Sequence, residues 1–473
     1  KDYSFLPCRP IMTSGLKRTI LAAIMSELEE SNVVERTCEP LAHRSSVFLV
    51  RRSGKGAVED EENIRRELIA RGLHEPNPRK DAGFPRIRVP PELLRAIKRN
   101  WRIVADFRAA NARIADTSFA AVPMQDLLIR IGGRRNRFLS SIDISDCYLS
   151  LEYGEASAKF TALTNGEQNW ICRRCVPGVK SLSGALHHIL ASLLANASGL
   201  IMYADDLLIV AASKDELYER TAYVLKKLLS VNFRVGLKKA SFERTEASFL
   251  GQQIRIYPSQ TEFFQANPWI QQSTQEMSEE DANSSVITME PEKPVDFSGI
   301  KRPSTLKELQ SFLGKVNYLS RYLNGVEKSI SALYATMRTG RRRLDWSEEA
   351  DRAFSDVVDK CNRIRPLIIP DTFESRVYGM VDAGESGCAG CIFVYVRGVS
   401  LPCAFMHRVY ANHPKALNPQ RSGSTLLEIQ AVSFLLATFR PFISPTFVLL
   451  SDCRSLVCAL RRQQFSGAAD SYM

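Results

Sequence analysis

The sequence has no apolar run of about 18 residues, the length that a membrane-spanning helix requires. Its first residues, KDYSFLPCRPIM, lack the apolar core of a secretory signal. No segment repeats at a fixed period, which argues against a solenoid or propeller. Eleven cysteines are present, an odd number scattered over a long chain, so a secreted disulfide framework is not expected and a reducing compartment is. Two CxxC pairs, Cys172/Cys175 and Cys388/Cys391, lie far apart and neither has a second pair nearby. Zinc is therefore not expected, and buried thiols in strands are. His187 and His188 share a predicted helix without a third ligand at useful spacing, and they read as structural.

What remains is a large, apolar and basic chain. Its 473 residues suffice for about three domains of ~150 residues. A hydrophobic share of 45% supports a sizeable core and excludes global disorder. A net charge of +11 suggests a polyanionic partner, with nucleic acid first. Arg134, Arg135 and Arg137, and Arg341, Arg342 and Arg343, form basic clusters suited to a template track whose binding would fall steeply with salt.

Helical spacing over 11–33 (Leu16, Ile20, Ala23, Ile24, Leu28) gives way to a strand at SSVFLVRR (45–52). Residues 53–100 are charged and proline-containing, and read as an insertion or surface excursion. WRIVADFRAANARI (101–114) and FLSSIDISDCYLSLEY (138–153) read as strands with bends, and DELYERTAYVLKKLLSVNF (215–233) as a helix. Residues 273–296 hold seven acids against Lys293, and disorder is expected there. STLKELQSFLGKVNYLSRYL (304–323) opens with a capping-box pair, Thr305 and Glu308, and places Leu309, Phe312, Leu313, Val316 and Leu319 on one face. Beyond Pro370, strands, a long helix and a further strand suggest a separate α/β domain.

LIMYADDLLIV (200–210) sets adjacent carboxylates, Asp205 and Asp206, between two apolar runs. Uncompensated, such a pair costs several kcal/mol through lost hydration and mutual repulsion. Either the pair is a solvated turn or it lies at the tip of a hairpin and holds cations. Phosphoryl transfer to a 3′-hydroxyl uses two divalent metals held by carboxylates. A third carboxylate would come from a neighbouring strand, and SSIDISDCY offers Asp143 or Asp146.

YADD at Tyr203–Asp206 resembles the YxDD motif of reverse transcriptases, and DISDCY resembles the motif that precedes it in that family. The resemblance implies that Asp143, Asp205 and Asp206 are catalytic metal ligands and that Tyr148 is the steric gate against a ribose 2′-hydroxyl. WRIVADFR and VFLVRR are similar to the fingers strands, which makes Arg102, and secondarily Arg52, nucleotide-binding through the triphosphate. KFTALTNGEQNW with CVPGVKSLSGAL resembles the floor of the nucleotide pocket. GLKKASFERTEASFLGQQI resembles the later motifs, with Lys239 (or Lys238) near the triphosphate and a primer-grip turn at Phe249–Gly251. STLKELQSFLGKVNYLSRYL and LDWSEEADRAF resemble the segment downstream of the polymerase in gypsy-type LTR retrotransposons.

Asp382 in MVDAGESG, Glu428 in TLLEIQAV and Asp452 in LLSDCRSL resemble the metal-binding, catalytic carboxylates of RNase H. Two departures stand out. Pro177-Gly178-Val179 occupies the place where the family usually has Pro-Gln-Gly or Pro-Phe-Gly, and no fourth acid follows Asp452 at the family's distance, since Asp470 is too close.

The resemblance therefore implies an α+β chain: a right-hand polymerase (fingers, palm, thumb) followed by an RNase H-like α/β domain. Expected boundaries are 1–257 for fingers and palm with 53–100 as a fingers insertion, 258–369 for an acidic linker and helical thumb or connection, and 370–473 for an RNase H-like domain truncated at its C-terminus. The expected function is RNA-directed DNA synthesis with endonucleolytic RNase H cleavage, as part of a polyprotein. Two Mg²⁺ per active site are expected, with Mn²⁺ as a substitute. Expected partners are RNA template, DNA primer, RNA–DNA hybrid and dNTPs, with no membrane, and a homodimer on substrate. The expected location is cytoplasmic, in a virus-like particle with access to the nucleus. The alternative is a catalytically decayed, nucleic-acid-binding scaffold.

Overall fold

The computed structural model describes residues 15–462 except 40, 42, 53–56, 75–82, 116–121, 134, 271–282, 293–295, 338–343, 385–386, 410–423 and 444–445. Arg134 and the cluster Arg341–Arg343 thus lie outside the described residues, as does Asp470. The chain forms two compact units interleaved in sequence. One comprises Lys1–Ala121, Ile144–Asn196 and Val224–Gly236, and the other Val122–Asp143, Ala197–Tyr223 and Leu237–Met473. Among the described residues no helix is long and apolar enough to cross a membrane.

The first unit is built on a five-stranded sheet: β1 (Val34–Thr37), β6 (Asn169–Cys172), β5 (Leu163–Thr164), β2 (Ser45–Arg51) and β3 (Trp101–Asp106), in that spatial order. The helix Gly15–Glu30 buries Ile20, Leu21 and Ile24 in a core that also holds Trp101 and Trp170. The segment 53–100 does not run wholly over the surface. Its helices Ala57–Ala70 and Pro91–Asn100 insert Ile64, Leu68, Leu93 and Ile97 into the same core, so the charges that suggested an excursion mark only the outer helix faces. Ile144 and Ser145 pair with β9 (Arg234–Val235).

The second unit contains three sheets. The first runs β10 (Ser241–Arg244), β4 (Phe138–Ser145), β8 (Asp206–Ala211), β7 (Leu200–Tyr203). β8 is buried from Leu207 to Ala211, which explains its unbroken apolar run. The second runs β11 (Glu246–Phe249), β12 (Gln252–Tyr257), β13 (Val286–Pro291), β14 (Leu367–Ile368). Here β13 falls within the stretch expected to be disordered. Val286, Ile287 and Met289 supply a buried strand whose β-branched character the surrounding acids had masked. These two sheets share one core, with Leu139, Leu208 and Val210 alongside Phe249, Ile254 and Met289.

The helix Leu306–Tyr318 carries the capping box formed by Thr305 and Glu308, and it buries Leu309, Phe312, Leu313 and Val316 against Leu333 and Val357 of two further helices. The third sheet runs β17 (Val399–Val409), β16 (Gly387–Val396), β15 (Val377–Gly384), β18 (Val448–Leu450). β18 is parallel to β15 and the rest are antiparallel. The helix Ser424–Thr438 packs on it through Leu427, Val432 and Leu435.

Candidate active sites

β7 and β8 form a hairpin closed at Tyr203 and Asp206, with Ala204 and Asp205 at its tip. Ala204 adopts a φ of 51°, a left-handed conformation that costs an alanine about 1–2 kcal/mol. The hairpin is thus held by its buried strands rather than by turn preference, and such strain concentrates at functional sites. β4 lies antiparallel to β8 in a register that sets Asp143 directly opposite Asp206. This pairing decides between the two upstream candidates. Asp143 faces the hairpin, whereas Asp146 takes a left-handed φ of 49° at the start of a 3₁₀ turn.

Directly opposed like charges destabilise a sheet. Asp206 is solvent-exposed, yet its carboxyl is held above the ordinary range, first by the surrounding protein and then by the charges of Asp205 and Asp143. Lys239 opposes that repulsion. Its Nζ lies 3.0 and 3.2 Å from the two carboxylate oxygens of Asp143, and this pairing raises the lysine pKa. A cleft of about 420 Å³ is lined by Asp143, Asp206, Lys239, Leu250, Gly251 and Glu292 among others.

Among the described residues no three His, Cys, Asp or Glu side chains gather closely enough to hold a metal ion. The three aspartates therefore repel one another without forming a closed ligand set. They nevertheless fit a hard divalent cation: every donor is a carboxylate oxygen, and the site already holds an ammonium against Asp143.

The opposite wall is the two-residue hairpin turn between β11 and β12, where Leu250 and Gly251 have φ of 53° and 71°. The Gly251 carbonyl accepts hydrogen bonds from the Tyr318 hydroxyl (2.7 Å) and the Glu292 N–H (3.0 Å). A Cβ at Gly251 would lie 2.9 Å from the Tyr318 oxygen, so glycine is needed for contact as well as conformation. Tyr322 donates to the buried Gln252 side chain. Glu292, Tyr318 and Tyr322 were not singled out from the sequence. The spacing of the two tyrosines within YLSRYL was the available signal.

In the first unit, Val50 pairs with Arg102, and strand alternation puts Arg52 on the same face as Arg102. Both arginines are exposed at the same end of the β2–β3 pair. Tyr148, in the 3₁₀ turn Cys147–Ser150, shares a hydrogen bond of 3.2 Å with Ser183. Gly178 sits where the backbone favours glycine. Its φ is 114°, and a Cβ would lie 3.3 Å from the Phe107 ring. Asn111 fixes this segment from both sides, donating to the Gly178 carbonyl (2.9 Å) and accepting from the Lys180 N–H (2.8 Å). Cys172 and Cys175 are buried there, and burial raises their thiols to about 12 and about 11.

The second carboxylate trio sits on the β15–β18 sheet. Met380 pairs with Leu450, so Asp382 lies two residues further along β15 and Asp452 two residues beyond the end of β18, and both are exposed. Glu428 projects from the helix Ser424–Thr438 and is only 7% exposed. Its Oε1 accepts the Ala383 N–H at 3.1 Å, while Oε2 is buried without a partner. Burial raises the Glu428 pKa, and the charges of Asp452 and Asp382 raise it further. Carboxylates from a strand and from the bend after another strand thus act on the helical Glu428. The unpartnered, buried Oε2 again suits a cation.

Paired carboxylates on a sheet, flanked by a lysine and a glycine turn, agree with a polymerase fold. Residues 90–254 match the family model for reverse transcriptase (RNA-dependent DNA polymerase). The chain is 22% identical over 367 residues to the retrovirus-related Pol polyprotein from transposon 412 of Drosophila melanogaster, covering 76% of this chain and 26% of that protein. The corresponding polyprotein from transposon opus of the same organism is 21% identical over 389 residues, covering 78% and 35%. The Gag-Pol polyprotein of Koala retrovirus is 24% identical over 354 residues, covering 71% and 19%. The chain therefore spans only about a fifth to a third of these relatives. In fold it is similar to a foamy viral protease-reverse transcriptase in complex with dsDNA (TM-score 0.66, 19% identity, 99% of this chain and 83% of that chain). The same enzyme in complex with RNA/DNA hybrid gives a TM-score of 0.66 at 18% identity, covering 99% and 54%.

The chain contains a reverse transcriptase domain on a mixed α/β polymerase fold. Its similarity to these polyproteins supports a reverse transcriptase region of an LTR retrotransposon, and a gypsy type agrees with these relatives.

Proposed function

We propose that this chain copies an RNA template into DNA by two-metal nucleotidyl transfer and cleaves the RNA strand of the resulting hybrid. The observation that carries the reading is the register that opposes Asp143 to Asp206 at the wall of a cleft. Asp143, Asp205 and Asp206 would hold two Mg²⁺, or Mn²⁺ in their place. The metals would lower the pKa of the primer 3′-hydroxyl and stabilise the leaving pyrophosphate. Arg102, with Arg52 on the same sheet face, neutralises triphosphate charge. Tyr148 excludes the ribose 2′-hydroxyl. The turn at Leu250–Gly251 supports the primer end. Asp382, Glu428 and Asp452 form the second, hydrolytic site on the 370–473 domain.

Purified chain should extend a DNA primer on an RNA template with dNTPs and Mg²⁺, and chelation should stop it. The open carboxylate arrangement also fits a decayed scaffold that binds nucleic acid without copying it. A folded chain that binds template–primer and never extends it would select the scaffold.

The primer-side turn gives a separate expectation. Tyr318→Phe leaves the Gly251 carbonyl with the Glu292 N–H alone. One lost hydrogen bond is worth about 0.5–1.5 kcal/mol, so the Tm should fall by less than about 4 °C. The single-nucleotide extension rate should fall about three- to tenfold, because the turn loses its tether to the Leu306–Tyr318 helix. An unchanged extension rate would show that Tyr318 only packs.

A further inference from the structure

The cation contacting Asp143 is the lysine itself, and this suggests a role for Lys239 beyond contact with a triphosphate. Its ammonium spans both oxygens of Asp143, and the two partners are unequally exposed, the Asp143 side chain at 19% and the Lys239 side chain at 72%. The lysine thus reaches in from solvent on a flexible stem and can leave without moving the strand. Of the described side chains that line the cleft, Asp143, Asp206 and Glu292 are acidic and Lys239 alone is basic. The described lining therefore keeps a negative excess that one ammonium does not cancel.

We infer that Lys239 is the exchangeable counter-ion of the metal-free site: it neutralises Asp143 until a divalent cation displaces it, and the released ammonium then serves the triphosphate. This rests on the metal reading of the three aspartates. Exchange has two consequences. Lys239 weakens cation binding by the strength of its own pair with Asp143, since both claim the same oxygens. Cation binding and triphosphate binding also become mutually favourable, because the first event frees a group that the second uses.

The test measures Mn²⁺ binding by electron paramagnetic resonance on the chain without nucleic acid or nucleotide. Partly exposed ion pairs contribute up to about 1 kcal/mol, which converts to about fivefold in affinity. Lys239→Met should therefore bind Mn²⁺ about fivefold more tightly than wild type. Lys239→Arg, which keeps the charge, should stay near wild type. Lys238→Met removes the same charge from an exposed neighbouring side chain and should change affinity less than twofold. Equal affinity of wild type and Lys239→Met, with binding weakened by Asp206→Asn, overturns the counter-ion role and leaves the metal reading standing. An equal gain in Lys238→Met and Lys239→Met overturns exchange in favour of simple net charge. Mn²⁺ binding that is absent from wild type and Lys239→Met, or indifferent to Asp206→Asn, overturns both.

Discussion

Asp206→Asn should reduce primer extension by on the order of 1,000-fold while raising the Tm at neutral pH. The rate loss follows from the charge stabilisation that a metal-held site supplies, several kcal/mol, at about 1.4 kcal/mol per tenfold. The stability gain follows first from the lost hydration of the Asp206 carboxylate and then from the repulsion that it meets from Asp205 and Asp143 in the absence of a cation. Its pKa is raised above the ordinary value of 3.8, so the folded chain binds this proton more tightly than the unfolded chain does. The contribution to stability is present below 3.8 and is lost as pH rises through the higher folded value. Replacing the carboxylate with an amide removes that loss, so the Tm advantage of the variant should shrink towards acid pH. Mg²⁺ should raise the Tm of wild type more than that of the variant. Thermal melts across pH, with and without Mg²⁺, check each part. A variant that still extends primers within tenfold of wild type would falsify the assignment of Asp206.

The parts legible in the sequence were those whose causes are local. The capping box Thr305–Glu308 and the apolar face behind it needed one helical window. The hairpin at Ala204–Asp205 was visible because two apolar strands flank a polar tip. What stayed hidden was set by pairing across the chain. Asp143 and Asp146 are three residues apart on one segment, and only the register with β8 distinguishes them. Lys239 meets Asp143 across 96 residues, so a lysine expected at a triphosphate is found on a carboxylate. β13 was lost among acids because net charge was weighed over a longer window than a strand occupies. Gly178 stood out as a departure from the family pattern, and its φ of 114° beside the Phe107 ring gives a backbone reason for glycine there.

The second site places a buried acid beside two exposed ones, and this makes it the better place to separate chemistry from folding. Glu428→Gln should reduce hydrolysis of the RNA strand in a hybrid by at least about 100-fold while leaving the domain folded. The amide keeps an acceptor for the Ala383 N–H, and it removes a charge whose second oxygen is buried without a partner. Burial, Asp452 and Asp382 hold the Glu428 pKa above its ordinary 4.5. Its favourable contribution is therefore complete below 4.5 and lost as pH rises through the raised value. Wild type should lose Tm on going from pH 5 to pH 8 more than Glu428→Gln does, and the difference between the two slopes is the measurement. A divalent cation should restore the wild-type Tm at pH 8, because it supplies the partner that the buried oxygen lacks, and should do little for the variant. Equal slopes with and without the cation would mean that Glu428 binds its proton no more tightly in the folded domain than in the unfolded chain and that no cation adds to its stability. A carboxylate that no cation stabilises holds no metal, so that result would remove the hydrolytic reading of the trio whatever the nuclease assay showed.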